Sequence, residues 1–98
     1  MSDLLKNYLS DFKYQMFFEH YSDMYINSFD LDNFIKVYTY LENVGFDFID
    51  DIIINYAEIF KLSVWDIYES LKRISKKYGP NYIDRISKDM RILEMVLD

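Results

Sequence analysis

Apolar residues recur at every third or fourth position through most of the sequence, which is the period that gives an α-helix one buried face. Five such stretches predict helices at about 3–26, 31–44, 48–61, 64–78 and 82–97. Only two Gly and one Pro are present, too few turn-forming residues for a sandwich or barrel of many strands. The sequence therefore predicts an all-α fold: a compact bundle of four or five helices in a single domain, 1–98.

Capping residues indicate where the predicted helices begin and end. The residues expected to accept hydrogen bonds from the first free N–H groups of four helices are Asp30, Asp47, Ser63 and Asn81. Phe29 with Phe34, and Leu62 with Ile67, occupy the two positions of a hydrophobic staple. Gly45 is expected to end the second helix, and Gly79–Pro80 the fourth.

The first predicted helix is longer than usual, and a second capping residue near Ser10 marks a position where it is expected to break. Its predicted buried stripe consists of Leu5, Leu9, Phe12, Met16, His20 and Met24, widened by Phe17 and Tyr21. The predicted buried face of the second helix consists of Leu31, Phe34, Ile35, Tyr38, Leu41 and Val44. We expect these two apolar faces to enter one shared core.

Charge is distributed unevenly along the chain. Residues 1–60 carry eleven Asp and Glu against three Lys and Arg, a net charge of −8, whereas residues 61–98 carry a net charge of +2. An acidic surface repels nucleic acid and attracts basic protein surfaces. The sequence therefore predicts a protein partner for the first part, while the second part retains the potential to contact phosphate.

A local pattern in the second part of the chain reads A-x-x-F-x-L-S-x-x-x-I-x-x-x-L, formed by Ala57, Phe60, Leu62, Ser63, Ile67 and Leu71. It resembles the helix-turn-helix signature, in which a small residue lets the second helix cross closely and a Ser caps that helix. The resemblance implies a trihelical part over residues 53–78. Lys61 stands where the motif usually has Gly, and Asp66 and Glu69 would be repelled by phosphate at the exposed start of the reading helix.

The same resemblance implies an alternative function, a transcriptional regulator that binds DNA as a homodimer. Its first helix would supply the contact between the two copies. Its expected phosphate contacts are Lys72, Arg73, Lys76 and Lys77. Together with Arg85, Lys88 and Arg91 these residues form either one phosphate-binding patch or a solvated face interleaved with acidic residues. The second interpretation is the more ordinary one.

Acidic residues of the first part are interleaved with aromatic ones, a mixture that can imitate the phosphates and stacked faces of a nucleic acid. In composition and size the chain is similar to small phage-encoded inhibitors, including anti-CRISPR and DNA-mimic proteins. That similarity implies a non-enzymatic inhibitor or adaptor, encoded by a phage or mobile element, that occludes a basic surface of a nucleic-acid-handling protein. Its expected contacts are Tyr38, Tyr40, Asp47, Asp50, Asp51, Trp65 and Glu69. The simpler interpretation treats Asp30, Asp47 and Asp50 as helix caps.

No residue pattern indicates an enzyme, a cofactor or a metal site. Cysteine is absent, which excludes disulfides, thiolate nucleophiles and Cys-based zinc sites. His20 is expected to be half-buried and hydrogen-bonded, and Asp50 and Asp51 are expected to point to different sides of a helix. The N-terminal sequence does not resemble a signal peptide, so we expect a cytoplasmic protein with no membrane span. A structural subunit of a larger assembly is a third candidate function.

Overall fold

The chain folds into short helices joined by tight turns. The computed structural model describes the backbone of residues 2–97 and the side chains of residues 5–97. The α-helices are α1 (Ser2–Tyr8), α2 (Asp11–His20), α3 (Asp23–Ile26), α4 (Leu31–Val44), α5 (Ile49–Asn55), α6 (Val64–Tyr78), α7 (Tyr82–Lys88) and α8 (Glu94–Leu97). Two 3₁₀ helices span Ala57–Lys61 and Met90–Leu93. Residues 2–97 contain no strand, which confirms the all-α prediction, although the helices outnumber the four or five expected.

Helices α4 and α6 begin and end where the sequence predicts. The Asp30 side chain accepts a hydrogen bond from the Asn33 N–H at 3.0 Å, and the Ser63 side chain accepts one from the Asp66 N–H at 3.1 Å. Gly45 ends α4 in the left-handed region, with a φ of 117°. These two helices are predicted correctly because both of their ends carry specific local chemistry.

Serine caps divide the stretch predicted as helix over 3–26 into α1, α2 and α3. The break at Ser10 confirms the expected one, whereas the second break, at Ser22, is contrary to the prediction of a helix that continues to residue 26. Ser10 caps α2 and Ser22 caps α3 through their side-chain oxygens. Each break resets the rotational phase of the helix that follows. Consequently Leu5, Leu9 and Phe17 are buried as predicted, whereas Phe12 is not part of the core.

Several apolar residues assigned to buried faces lie instead at the surface. Phe12 is 71% exposed and Met24 84% exposed, and His20, predicted to be half-buried, is also exposed. On α4 the buried residues are Phe34, Val37 and Leu41, while the predicted Leu31 and Ile35 are more than one-third exposed.

The predicted helices 48–61 and 82–97 are also interrupted. Each begins as a short α-helix, α5 or α7, and continues beyond a break as a 3₁₀ helix. Asp47 does not cap α5, because Phe48 occupies the N-cap position without a capping hydrogen bond from its side chain. Asn81 is the N-cap residue of α7, but its side chain makes no capping hydrogen bond.

The core is one cluster of buried apolar side chains drawn from α1 through α8. At its centre the rings of Phe34 and Phe60 stack with their centroids 4.8 Å apart. Beside them, Nδ2 of Asn33 donates hydrogen bonds to the carbonyl oxygens of Phe60 at 3.0 Å and Leu62 at 2.8 Å. These contacts fix the first 3₁₀ helix, Ala57–Lys61, and the start of α6 against α4.

The segment that resembles a helix-turn-helix differs from that motif in the conformation of its turn. Its first helical part is the 3₁₀ helix Ala57–Lys61, followed by Leu62 and Ser63 in extended conformations. Between residues 2 and 97 only the two glycines have positive φ, so Lys61 does not adopt the left-handed conformation. The trihelical resemblance therefore stays a prediction.

None of the helices in residues 2–97 combines the length and the apolar character needed to cross a membrane.

The different burial of two phenylalanines provides a test of the fold. Phe34→Ala should lower the free energy of unfolding by about 3–5 kcal/mol, because it leaves a cavity beside Phe60. Phe12→Ala, the matched control at an exposed position, should change it by less than about 0.5 kcal/mol. Urea unfolding followed by circular dichroism measures both changes. Comparable losses in the two variants would contradict this placement of the core.

Candidate interaction surfaces

A cleft of about 210 Å³ lies where α4 and the start of α5 meet Tyr8 of α1. We call it the acidic cleft; its lining residues are Tyr8, Tyr38, Glu42, Phe46, Asp47, Ile49 and Asp50. Tyr38 and Glu42 are one turn apart on α4, and the left-handed turn at Gly45 brings the chain back so that Asp47 lies beside them. Glu42 and Asp47 are exposed, while Asp50 is half-buried.

Two phenols accompany the carboxylates of the acidic cleft. The rings of Tyr8 and Tyr38 pack with their centroids 4.4 Å apart. Burial, and to a lesser degree the neighbouring Glu42, raises the pKa of the Tyr38 phenol above its usual value. An ordinary phenol is already protonated near neutral pH, and this shift favours the same form of Tyr38. The cleft offers a cation several carboxylate oxygens together with two aromatic rings.

Asp50 and Asp51 are joined by one lysine. Nζ of Lys13 lies 2.9 Å from Oδ2 of Asp50 and 2.8 Å from Oδ1 of Asp51. The expectation that these carboxylates point to different sides of the helix is therefore wrong. The hydrogen bonds to Asp51 and Asp50 raise the pKa of Lys13, although burial opposes the shift. Since Lys13 balances part of their charge, Glu42 and Asp47 are the more available acids of this surface.

A second cleft, of about 220 Å³, is aromatic and carries a cation. We call it the aromatic cleft; its lining residues are Tyr40, Val44, Tyr68, Leu71, Lys72, Ser75 and Tyr82. Trp65 lies at its edge, 66% exposed, with its ring centroid 5.6 Å from that of Tyr68. Burial, and then the neighbouring Tyr82 and Tyr68, raises the pKa of the Tyr40 phenol. The phenols of α4, α6 and α7 thus meet in one place.

Glu69 belongs to a third surface, on the flank of α6 that faces α8. It lines a groove together with Asp66, Arg73 and Leu97. Nη2 of Arg73 donates to the buried Ser70 Oγ at 3.1 Å. Asp66 and Glu69 therefore line this groove and not the aromatic cleft, although Glu69 lies one turn from both Trp65 and Lys72.

The four cations predicted on α6, which are Lys72, Arg73, Lys76 and Lys77, are all exposed. Within the described side chains none of them has a carboxylate within 4.0 Å. Later in the chain, Lys88 pairs with Asp84 at 3.0 Å and Arg91 with Asp89 at 2.9 Å. The basic patch predicted for the last two helices is therefore best developed on α6.

The residues predicted to bind a partner do not form one surface. Tyr38, Asp47 and Asp50 line the acidic cleft, and Asp51 joins it through Lys13. The others are divided between the aromatic cleft and its edge, with Tyr40 and Trp65, and the groove on the far flank of α6, with Glu69. Sequence reasoning missed Tyr8 and Tyr68. Tyr68 could have been found from its position three residues after Trp65, on a neighbouring part of the same helix face.

The acids of the acidic cleft do not come close enough together to form a metal site. Among the residues that the structure describes, no three His, Cys, Asp or Glu side chains come together as metal ligands would.

The paired contact of Lys13 generates a prediction about stability. Lys13→Met should lower the free energy of unfolding by about 1 kcal/mol, because the adjacent Asp50 and Asp51 then repel each other without compensation. Lys88→Met, which removes an exposed ion pair with Asp84, should cost less than about 0.5 kcal/mol. Urea unfolding at low and high ionic strength measures both variants. Equal effects of the two substitutions would contradict a stabilising role for Lys13.

Comparisons of the chain with protein-family models, curated proteins and solved structures give no match. The fold class by itself does not identify an activity, since helical folds of this kind serve many unrelated functions. A function for this chain is therefore argued from the chemistry of its own surfaces.

Proposed function

We propose that the chain is a non-enzymatic inhibitor or adaptor that covers a basic surface of a nucleic-acid-handling protein. The observation that carries the proposal is the acidic cleft, where Glu42, Asp47 and Asp50 surround the phenols of Tyr8 and Tyr38. Carboxylates beside aromatic rings favour an arginine or lysine side chain of a partner. The overall charge of −6 favours the same class of partner over an acidic one.

The arginine guanidinium matches the acidic cleft particularly well. It is planar and always charged, and it presents five N–H donors that pair with two carboxylates at once. Glu42 and Asp47 would accept these bonds, since both are exposed and neither is within reach of Lys13 as Asp50 is. The face of Tyr38 or Tyr8 would stack against the guanidinium plane.

Inhibition follows from occupation of the basic surface. In this proposal the chain acts as a DNA mimic of the anti-defence type: its carboxylates replace phosphates in a basic channel and exclude the nucleic acid. The function requires a cytoplasmic location. Electrostatic attraction accelerates the encounter with the partner, and the gain falls as salt increases.

Charge reversal in the acidic cleft tests this function. The chain is used as bait in a lysate of its source cell, and captured proteins are identified by mass spectrometry. We expect a basic, nucleic-acid-binding protein that is released by high salt and by added DNA. Glu42→Lys combined with Asp47→Lys should weaken its binding by about tenfold or more, because attraction becomes repulsion.

The matched control reverses the same number of charges elsewhere. Glu19→Lys combined with Asp23→Lys changes two exposed carboxylates of α2 and α3 that do not line the acidic cleft. This variant should retain the partner, and the purified partner should lose DNA when the wild-type chain is added. Binding that is indifferent to salt and to the cleft substitutions would reject the proposal.

The four exposed cations of α6 favour duplex DNA binding as a second candidate function. In that case Lys72, Arg73, Lys76 and Lys77 contact phosphates, and α2 supplies a dimer contact through its exposed Phe12 and Met16. Asp66 in the first turn of α6 opposes this function by repelling the DNA backbone.

A gel-shift assay with duplex DNA distinguishes the second function from the first. At low salt, duplex binding should appear at micromolar protein and weaken when Lys72 and Lys76 are both replaced by Ala, because each removes a phosphate contact. The absence of a shift at that concentration would contradict a DNA-binding regulator.

A further inference from the structure

We propose that the aromatic cleft binds single-stranded nucleic acid, with bases stacked on Trp65 and Tyr68 and phosphates bound by Lys72 and Lys76. This inference does not depend on the acidic cleft or on its proposed partner. It rests on aromatic rings that are left in solvent beside cations that carboxylates do not neutralise within the described side chains.

The aromatic rings provide the stacking surface. Trp65 is 66% exposed and Tyr68 is 42% exposed, and their centroids are 5.6 Å apart. Core packing therefore does not account for these two side chains. Exposed aromatic rings are the usual platforms for the bases of single strands, because every base presents a flat face irrespective of its sequence.

The cations lie along the same helix at a suitable spacing. Lys72 lines the aromatic cleft itself, and Lys76 follows one turn later. With a rise of about 1.5 Å per residue, they lie about 10 Å and about 16 Å along α6 from Trp65, a distance that covers a few nucleotides. A strand that begins on Trp65 would thus pass Lys72 and Lys76 in turn.

The local charge complements a phosphate backbone despite the acidity of the whole chain. The residues that line the aromatic cleft include Lys72 and no carboxylate. Asp66 and Glu69 line the groove on the other flank of α6, together with Arg73. Repulsion from these acids is therefore weakest at Tyr68 and in the cleft itself, whereas Glu69, one turn from both Trp65 and Lys72, is the carboxylate of α6 nearest to the proposed strand.

A single strand suits this surface better than a duplex or an acidic peptide. Within a duplex the base faces are covered by neighbouring base pairs, so Trp65 and Tyr68 would have no partner. An acidic peptide would use Lys72 and Lys76 and leave the rings without a flat ligand. Both alternatives are separable outcomes of one set of titrations.

The only tryptophan of the chain reports on the binding directly. Titration with a short oligothymidylate at low salt should quench Trp65 fluorescence in a saturable manner, because a base stacks on the indole. Affinity should fall with salt, by a logarithmic slope of about 0.7 for each phosphate neutralised. Lys72→Ala should lower both affinity and slope. Lys88→Ala, which removes one exposed charge paired with Asp84, should leave both unchanged.

Three further measurements separate stacking from charge. Polyglutamate and a duplex of the same sequence should bind more weakly than the oligothymidylate. Trp65→Ala, monitored by polarisation of a labelled oligonucleotide, should weaken binding by at least about fivefold while thermal unfolding confirms that the variant folds. The double substitution Glu42→Lys and Asp47→Lys should bind at least as tightly as the wild type. Absence of quenching, equal binding of polyglutamate, tighter duplex binding, or full affinity in Trp65→Ala would overturn the inference.

Discussion

The side-chain amide of Asn33 secures the junction that places α6, and with it the aromatic cleft, against α4. Its two hydrogen bonds hold the carbonyls of Phe60 and Leu62, close to the point where the 3₁₀ helix gives way to α6. Partly buried carbonyl groups without a hydrogen-bond partner destabilise a fold. The Asn33 amide supplies partners for two carbonyls at the turn before α6, where the helical hydrogen-bond pattern is interrupted. The stacked rings of Phe34 and Phe60 pack α4 against the 3₁₀ helix Ala57–Lys61 at the same junction.

Local chemistry determined which parts of the fold could be foreseen. Helix α4 has Asp30 at one end and Gly45 at the other, and its bounds followed from the sequence. In the stretch 3–26 the break at Ser10 was foreseen and the one at Ser22 was not, and the predicted buried stripe was carried across both because the apolar period continues by coincidence. A period carried across a break assigns residues to a face that does not exist, which is why Phe12 and Met24 are solvent-exposed.

The residues that make up each candidate surface were harder to predict from the sequence than the helix bounds. The uneven charge indicated an acidic first part and a cationic helix α6, and the exposed residues follow that division. Lys13 determines which carboxylates remain available to a partner, and it lies 37 positions before Asp50, so no local pattern reveals their pairing. The meeting of Tyr40 with Tyr82 likewise depends on how α4, α6 and α7 pack, and no local pattern specifies such long-range packing.

Helix α4 contributes a tyrosine to each cleft from positions only two residues apart. Tyr38 lines the acidic cleft and Tyr40 the aromatic cleft, and an α-helix turns by about 200° over that interval. Two occupants would therefore approach from nearly opposite directions and would not collide. A complex that contained both a basic protein surface and a single strand would present both proposed ligands at once, and the second contact would then be intramolecular and would gain from avidity. The 14-residue helix α4 thus holds one tyrosine of each cleft on opposite sides of a single element.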